Sequence, residues 1–180
     1  AEENGRTAVE QVIAFAQELG TDDLRSGVRF RGLAGSPEDV ERYMRQEYTA
    51  TSTDGGVVED PGPGRHPRYF GTYPHKIATY VREKGTITLP FFVRSSTGLP
   101  AQIVGLTDRG YVRPGQVADL VVFDFERVQD HATILDPGGG NEGIEHVFVN
   151  GVAVVQDGEA TGALPGVVLL RGERRGGPSR

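Results

Sequence analysis

The stretch SPEDVERYMRQEYTATSTDGG, residues 36–56, decides the predicted fold class. Ser36 can cap a helix and Pro37 suits its first position, because the fixed φ of proline fits a helix start. The predicted buried face of this helix consists of three apolar side chains, Val40, Tyr43 and Met44. The β-branched run at 48–53 is typical of a short strand, which is predicted to end at the Asp-Gly-Gly that closes the stretch.

A further short strand is predicted just before this helix, at residues 27–33, so the order is strand, helix, strand. Such alternation indicates βαβ units and hence a parallel sheet with right-handed crossovers. The chain opens with another predicted helix at residues 7–19, where Thr7 and Glu10 form a capping box and Gly20 marks the end. Its apolar positions at helical spacing are Val9, Val12, Ile13, Ala16 and Leu19.

Residues 54–68 hold four glycines and three prolines, a composition that excludes a helix or a central strand. This segment is predicted to be a loop, and loops of such length inside compact domains are usually functional or disordered. Two helices are predicted after it, one at residues 74–84 with Gly85 as its stop and one at 89–96 with Gly98 as its stop.

The last third of the chain is predicted to be a small antiparallel β unit. A strand at 118–124 follows a Pro-Gly turn, and two apolar runs, 144–149 and 152–155, flank Asn150-Gly151. Asn-Gly between apolar runs is a strong hairpin signal, because a type I′ turn needs a positive φ at both positions. One more short strand is predicted at 167–170.

The composition limits the classes of function. The 180 residues include no cysteine, so neither a disulfide nor a thiolate ligand or nucleophile is available. The net charge of -6 argues against nucleic acid as the main partner. No apolar run approaches the ~20 residues that cross a bilayer, and the first residues lack the basic start of a secretory signal, so a cytoplasmic protein with no membrane partner is predicted. The four histidines show no paired spacing, so no metal site is predicted within this chain.

A series of short motifs follows in a specific order, although each motif alone is weak. They are STDGG (52–56), HPRYFGTYP (66–74), YVRE (80–83), TGLPA (97–101), GLTDRG (105–110), RPG (113–115), ADLVVFD (118–124), VFVNG (147–151), TGA (161–163) and PG (165–166). Through these motifs the chain resembles the N-acyl-D-amino-acid deacylases and D-aminoacylases of the amidohydrolase superfamily. Ahead of Ser52 the resemblance is looser. Asp119 and Asn150-Gly151 belong to the motifs, and their predicted role is structural.

The resemblance implies an α/β fold: the C-terminal portion of a TIM-type (β/α) barrel followed by a small antiparallel β-sandwich domain. The implied domains are the barrel part at 1–116 with an active-site loop at 54–68, the sandwich at 117–170 and a flexible basic tail at 171–180. The resembled family holds its zinc on earlier barrel strands, so the metal ligands are expected outside this chain. An N-terminal companion segment or chain is expected as a partner, because a barrel that lacks most of its strands leaves open edges.

Asp54 is the predicted catalytic residue. On local sequence alone Thr-Asp-Gly is an Asx turn, but the resemblance places the family's catalytic aspartate on this position. Barrel enzymes build their sites at the C-terminal ends of strands, which is where Asp54 is predicted to lie. A carboxylate there can take a proton from an activated water and return it to the leaving nitrogen.

Arg68 and His66 are the predicted substrate-binding residues. A guanidinium can hold the carboxylate of an acylated amino acid through two parallel hydrogen bonds, and Pro67 stiffens the backbone between the two side chains. The resemblance places this His-Pro-Arg stretch near the substrate pocket. The alternative interpretation is that Arg68 is a surface residue paired with Glu59 or Asp60.

The predicted function is hydrolysis of the amide bond of N-acyl-D-amino acids to a carboxylate and a free D-amino acid, by a metal-dependent enzyme that is inactive without its N-terminal segment. Two alternatives stay open. One is a non-catalytic binding or scaffold module derived from the same fold. The other is a related amidohydrolase acting on cyclic amides or ureas; the His-Pro-Arg stretch argues against it, although fold alone does not fix the substrate.

Overall fold

The computed structural model describes residues 5–18, 36–56 and 65–169. The chain divides into two compact units, Ala1–Ser36 and Pro37–Arg180. Several predicted features lie outside the described residues: the strand at 27–33, the middle of the loop at 57–64, the tail at 171–180, and the helix end at Leu19 and Gly20. Among the described helices, none is long and apolar enough to span a membrane.

Helix α1 (Ala8–Glu18) is the described element of the first unit. Its predicted capping box is confirmed: the Thr7 N–H donates to Glu10 Oε2 at 2.8 Å, and the Glu10 N–H donates to Thr7 Oγ1 at 3.2 Å. This reciprocal pair satisfies two of the N–H groups that a helix start leaves unpaired. Val9 and Ile13, from the predicted apolar stripe, are more than half exposed. Local hydrogen bonds therefore set where α1 begins.

Helix α2 (Pro37–Met44) begins at the predicted proline. Its predicted buried face is wrong for Val40 and Tyr43, which are both exposed, and only the last residue of the helix packs against the core. The physical reason is that charge anchors this helix. Glu41 Oε1 lies 2.9 Å from Lys84 Nζ, an ion pair that joins α2 to a distant part of the second unit.

The strand predicted at 48–53 is not formed. Among the described residues this segment pairs with no strand, and the Thr51 N–H donates instead to the Ser95 carbonyl at 2.8 Å. A strand needs a partner whose backbone groups complement its own, and β-branched composition alone does not provide one. All the described ladders are antiparallel and lie within residues 120–160. The predicted parallel sheet also involves the strand at 27–33, which lies outside the described residues, so it stays a prediction.

Two helices form one continuous segment: α3 (Arg68–His75) and a π-helical stretch (Lys76–Glu83). The sequence predicted a helix only from Pro74 onward, but this proline lies inside α3. Proline has no N–H and cannot donate to the Phe70 carbonyl four residues earlier. The side chain of Asn141 replaces the missing donor, with its Nδ2 3.0 Å from the Phe70 oxygen.

The stop after the π-helical stretch and the bounds of the helix that follows both agree with the sequence prediction. The π-helical stretch is followed by Gly85 at a φ of 60°, which confirms the predicted stop. Helix α4 (Leu89–Ser96) then begins after Thr88, whose hydroxyl accepts from the Phe91 N–H at 3.3 Å. A capping hydroxyl of this kind is typically worth about 1 kcal/mol.

Gly98 was predicted to end α4, and this prediction is wrong. It is the first residue of another helix, α5 (Gly98–Val104), which ends at Gly105 with a φ of 80°. A Cβ on Gly98 would lie 2.6 Å from the Tyr111 ring. Close packing against this ring, and not helix termination, therefore requires glycine here.

The hydrophobic core of the second unit lies where the helices meet the β structure. Its buried members are Ile77, Ile87, Phe92 and Val128. Partly buried side chains surround them: Met44, Val81, Leu89, Phe91, Phe123, Phe125 and Ile144. Arg82 links the π-helical stretch to the segment between the first two strands. Its Nη1 donates to the carbonyls of Phe125 and Val128 at 2.9 Å each.

The strands are β1 (Leu120–Phe123), β2 (Gln129–Asp130), β3 (Asn141–Glu142), β4 (Ile144–Val149), β5 (Val152–Gln156) and β6 (Glu159–Ala160). They form a four-stranded antiparallel sheet, in the order β1-β4-β5-β6, and a two-stranded ribbon of β2 and β3. The predicted hairpin is confirmed, with φ of 50° at Asn150 and 79° at Gly151. The predicted strand at 167–170 is wrong for residues 167–169, which are irregular and exposed. In coarse form the α/β class is confirmed.

Candidate active site

Asp54 lies in a turn that its neighbours define. Its φ is 45°, in the left-handed region that aspartate and asparagine tolerate better than most residues. The Thr53 hydroxyl accepts from the Gly55 N–H at 3.2 Å, which closes the turn around Asp54. The Asp54 side chain is 85% exposed. The turn therefore presents this carboxylate on the surface of the second unit.

Arg68 is the partner of this carboxylate: its Nη2 lies 2.8 Å from Asp54 Oδ2. Because Arg68 is the first residue of α3, after Pro67 at the N-cap, the helix start fixes the position of its Cα. Its Nε is buried and has no hydrogen-bond partner among the described residues. The alternative partners, Glu59 and Asp60, lie outside the described residues. The structure thus brings together Asp54 and Arg68, and the described part of the chain offers no acceptor to one guanidinium donor.

His66 supports the same helix start. Its Nδ1 accepts from the Arg68 N–H at 3.1 Å, and the residue is exposed. An acceptor at this point satisfies one of the N–H groups that a helix start leaves unpaired. His66 thus contacts the backbone of Arg68, and its predicted contact with substrate stays a prediction.

A buried lysine next to this turn was not predicted from the sequence. Lys76 is 8% exposed, and its Nζ donates to Thr51 Oγ1 at 2.6 Å and to Ser95 Oγ at 3.3 Å. Burial lowers the pKa of Lys76 to about 8, because removal from water disfavours the charged form. The sequence carries no signal for this contact, since lysine in a helix is almost always exposed.

The other histidines each have a single acidic neighbour. The pairs are His75 Nδ1 with Asp130 Oδ1 at 3.0 Å, His131 Nε2 with Glu142 Oε2 at 3.4 Å and His146 Nε2 with Asp157 Oδ1 at 3.9 Å. Within residues 5–18, 36–56 and 65–169 there is no group of three or more His, Asp or Glu side chains that could hold a metal ion. The residues of this part of the chain therefore do not fit a catalytic metal by themselves.

Asp119 has the structural role that its sequence context predicted. Its carboxylate accepts from the Arg109 guanidinium and, at 2.8 Å, from the Asn150 N–H. Asn150 in turn donates through Nδ2 to the Pro165 carbonyl at 2.7 Å. These contacts fasten the hairpin turn to the segment before β1 and to the segment after β6.

The chain belongs to the amidohydrolase family, whose model matches residues 7–155. Within that family it is similar to deacylases of N-acylated D-amino acids. It is 40% identical over 162 residues to the N-acyl-D-aspartate deacylase of Alcaligenes xylosoxydans xylosoxydans, a match covering 87% of this chain and 32% of the relative. It is 41% identical over 133 residues to the D-aminoacylase of the same organism, covering 74% of this chain and 27% of the relative. The chain spans about a third or less of the length of these curated relatives.

The chain is also similar to solved structures of such deacylases. A D-aminoacylase studied for the role of its binuclear metal centre matches with a TM-score of 0.66 at 41% identity, covering 71% of this chain and 26% of that chain. The N-acyl-D-glutamate deacylase of Bordetella bronchiseptica, complexed with zinc and a phosphonate inhibitor that mimics the tetrahedral intermediate, matches with a TM-score of 0.67 at 32% identity. That match covers 83% of this chain and 33% of the other. The resemblance to the deacylases is therefore confirmed.

Proposed function

We propose that this chain is the C-terminal part of a metal-dependent amidohydrolase that hydrolyses N-acyl-D-amino acids to a carboxylate and a free D-amino acid. The observation that carries the proposal is the ion pair of Asp54 with Arg68, a proton acceptor beside a carboxylate-binding group. The substrate class is supported by the relatives, since the curated proteins at about 40% identity are an N-acyl-D-aspartate deacylase, an N-acyl-D-glutamate deacylase and a D-aminoacylase.

Asp54 supplies the proton transfers in this proposal. It accepts a proton from the water that attacks the amide carbonyl carbon, and it delivers that proton to the nitrogen as the C–N bond breaks. Its exposed position suits this role, because both the water and the substrate must reach the carboxylate.

Arg68 holds the α-carboxylate of the substrate in this proposal. No acceptor for the buried Nε of Arg68 lies among the described residues, and a buried donor without a partner costs about 1–3 kcal/mol. This supports a substrate carboxylate as the further acceptor. His66 contributes by fixing the start of the helix that carries Arg68. The guanidinium has to serve both Asp54 and the substrate, so binding of substrate rearranges this pair.

We propose zinc as the metal of the complete enzyme, with its ligands outside this chain. Two facts support this division: the chain has no cysteine, and its described residues hold no group of three acidic or histidine side chains. A bound zinc acts as a Lewis acid toward an acyl substrate. Asp54 acts only in proton transfer and Arg68 only in carboxylate binding.

We also propose the finer fold: a C-terminal part of a TIM-type barrel at 1–116, a small β-sandwich at 117–170 and a tail at 171–180, completed by an N-terminal companion segment or chain in the cytoplasm. This fold is supported by backbone edges that lack a neighbouring strand and by apolar side chains that are exposed in the described part of the chain. The segment 48–53 has no strand beside it among the described residues, and β1 is an edge of its sheet. Val121, Val122 and Val152 of this sheet are between 43 and 55% exposed. Natural proteins cover such edges and faces.

The experiment is to produce the chain together with the segment that its relatives carry in front, load it with zinc, and measure release of the free amino acid from N-acetyl-D-amino acids. The matched L-substrates are the control, and metal content is measured in parallel. We expect hydrolysis of the D-substrates. A folded, zinc-loaded protein without activity would favour the non-catalytic module, and hydrolysis of cyclic amides alone would favour the other amidohydrolase.

A further inference from the structure

Two cations on one helical segment contact the turn that carries Asp54. Arg68, at its start, pairs with Asp54 itself, while Lys76, eight residues later, donates to Thr51. Thr51 precedes Asp54 by only three residues. The segment from Thr51 to Asp54 is therefore attached to the helix at both of its ends.

The surroundings of Lys76 are unusual for a cation. Its Nζ is held by two hydroxyls, those of Thr51 and Ser95, and lies 5.7 Å from the centre of the Phe92 ring. None of the ion pairs between described residues involves Lys76, although a buried charge is normally paired with a carboxylate. Among the described residues the hydrogen-bond partners of this buried ammonium are hydroxyls, so charge pairing does not explain its position.

Thr51 is the point where three contacts converge. Its Oγ1 receives Lys76 Nζ and, at 3.2 Å, the hydroxyl of Ser96, while its N–H donates to the Ser95 carbonyl at 2.8 Å. Since the segment 48–53 has no ladder in the described part of the chain, these contacts replace a sheet as its anchor. The location of Asp54 then depends on them.

We propose that Lys76 is a positioning residue of the active site: by holding Thr51 it sets where the Asp54 carboxylate lies relative to Arg68. The inference rests on the proposed function, because it matters for catalysis only if Asp54 is the general base. Lys76 reaches Asp54 through Thr51 and has no contact of its own with the substrate in this scheme. A displacement of a catalytic group by 1 Å can cost about 10²-fold in rate.

The test uses steady-state kinetics of the complete, zinc-loaded enzyme. Lys76→Met removes the donor and keeps the aliphatic stem, and Thr51→Val removes the acceptor at nearly constant shape. Each is expected to lower kcat by about 10- to 100-fold with little change in KM. Thr51→Ser keeps the hydroxyl and is expected to retain kcat. Lys84→Met, on a surface lysine that pairs with Glu41, is the matched control and is expected to leave kcat unchanged.

The mechanism is tested by combining variants. If Lys76 acts through Thr51, Lys76→Met together with Thr51→Val is expected to cost no more than either change alone. In an Asp54→Asn background, Lys76→Met is expected to leave the residual rate unchanged, whereas general damage to the fold would lower the rate in both backgrounds. If Lys76→Met does not fold, the contrast between Thr51→Val and Thr51→Ser still decides the question.

A failure of the proposed function and a failure of the positioning role give different results. Near wild-type kcat in metal-replete Asp54→Asn would overturn the proposed function. A strong loss in Asp54→Asn, with wild-type kcat in both Lys76→Met and Thr51→Val, would overturn only the positioning role. Equal losses of kcat in Thr51→Val and Thr51→Ser would also overturn the positioning role, because the Thr51 hydroxyl would then be irrelevant.

Discussion

Asp54 Oδ2 and Arg68 Nη2 lie 2.8 Å apart, so the predicted proton acceptor and the predicted carboxylate clamp share one ion pair. The two residues come from different elements, a turn and the first position of α3. Under the proposed function, one guanidinium serves two carboxylates in turn, that of Asp54 and that of the substrate. Variants at either residue are expected to separate these two uses.

Replacing the proton acceptor is expected to affect catalysis and leave binding nearly intact. Asp54→Asn keeps the size, the left-handed backbone and most hydrogen bonding but cannot accept the proton. General base catalysis is typically worth about 10² to 10⁴-fold, so kcat should fall by that order with little change in KM. The measurement is steady-state kinetics on an N-acetyl-D-amino acid, with metal content determined for both proteins.

Arg68→Lys is expected chiefly to raise KM, because an ammonium cannot hold a carboxylate through two parallel hydrogen bonds. The control substrate is an N-acetylated amine that has no α-carboxylate. If Arg68 binds this carboxylate, the variant and the wild type should hydrolyse the control substrate at similar rates. Equal losses on both substrates would mean that Arg68 acts on Asp54 alone.

Zinc binding is expected to require more than this chain. The purified 180-residue chain should contain no stoichiometric zinc after dialysis, because its described residues offer no group of three suitable side chains. The same protein joined to its companion segment should retain zinc under identical conditions. Elemental analysis of both samples decides the matter, and one zinc per isolated chain would contradict the prediction.

The contact between Asn141 and Phe70 is expected to stabilise the chain only because Pro74 stands inside α3. Asn141→Leu removes the donor to the Phe70 carbonyl and should lower the free energy of unfolding by about 1 kcal/mol. In a Pro74→Ala background the restored backbone N–H can donate to that carbonyl, so the same change should cost much less. Urea unfolding of the four proteins measures the difference, and equal costs in both backgrounds would refute the relationship.

Lys76 is expected to make stability depend on pH in the alkaline range. Its pKa of about 8 in the folded chain lies below the ordinary value of 10.5, so the unfolded chain binds more protons between these values and stability rises with pH there. The contribution of Lys76 to the free energy of unfolding should rise by about 2 kcal/mol from pH 8 to pH 10. Lys76→Met should abolish this part of the rise. A wild-type curve that is flat or falls relative to the variant would contradict the prediction.

Local signals in the sequence predicted local structure well. The capping box at Thr7, the bounds of α4 and the Asn150-Gly151 hairpin were all correct, because each depends on neighbours within a few residues. The strand at 48–53 failed because pairing depends on distant partners, which composition does not reveal. The start of α3 was missed because Pro74 is tolerated only through a side chain on β3.

In the candidate site, too, the sequence indicated individual residues but not the contacts between distant residues. The motifs led to Asp54 and Arg68 as separate residues, and their position in the sequence gave no sign that they form an ion pair. Lys76 was missed altogether, since its partners Thr51 and Ser95 lie 25 and 19 residues away and its own environment is buried. Contacts of this range depend on how the helices pack, which no motif in the sequence encodes.

The φ of 45° at Asp54 also limits how the gene can change at this codon. Single nucleotide changes convert an aspartate codon to one for Asn, Gly, His, Tyr, Val, Ala or Glu. Of these, Gly and Asn tolerate a left-handed backbone best, and neither carries a carboxylate. The mutations that preserve the turn most readily are therefore those that remove the proposed proton acceptor, so under the proposed function a lineage can lose its activity here while keeping its fold.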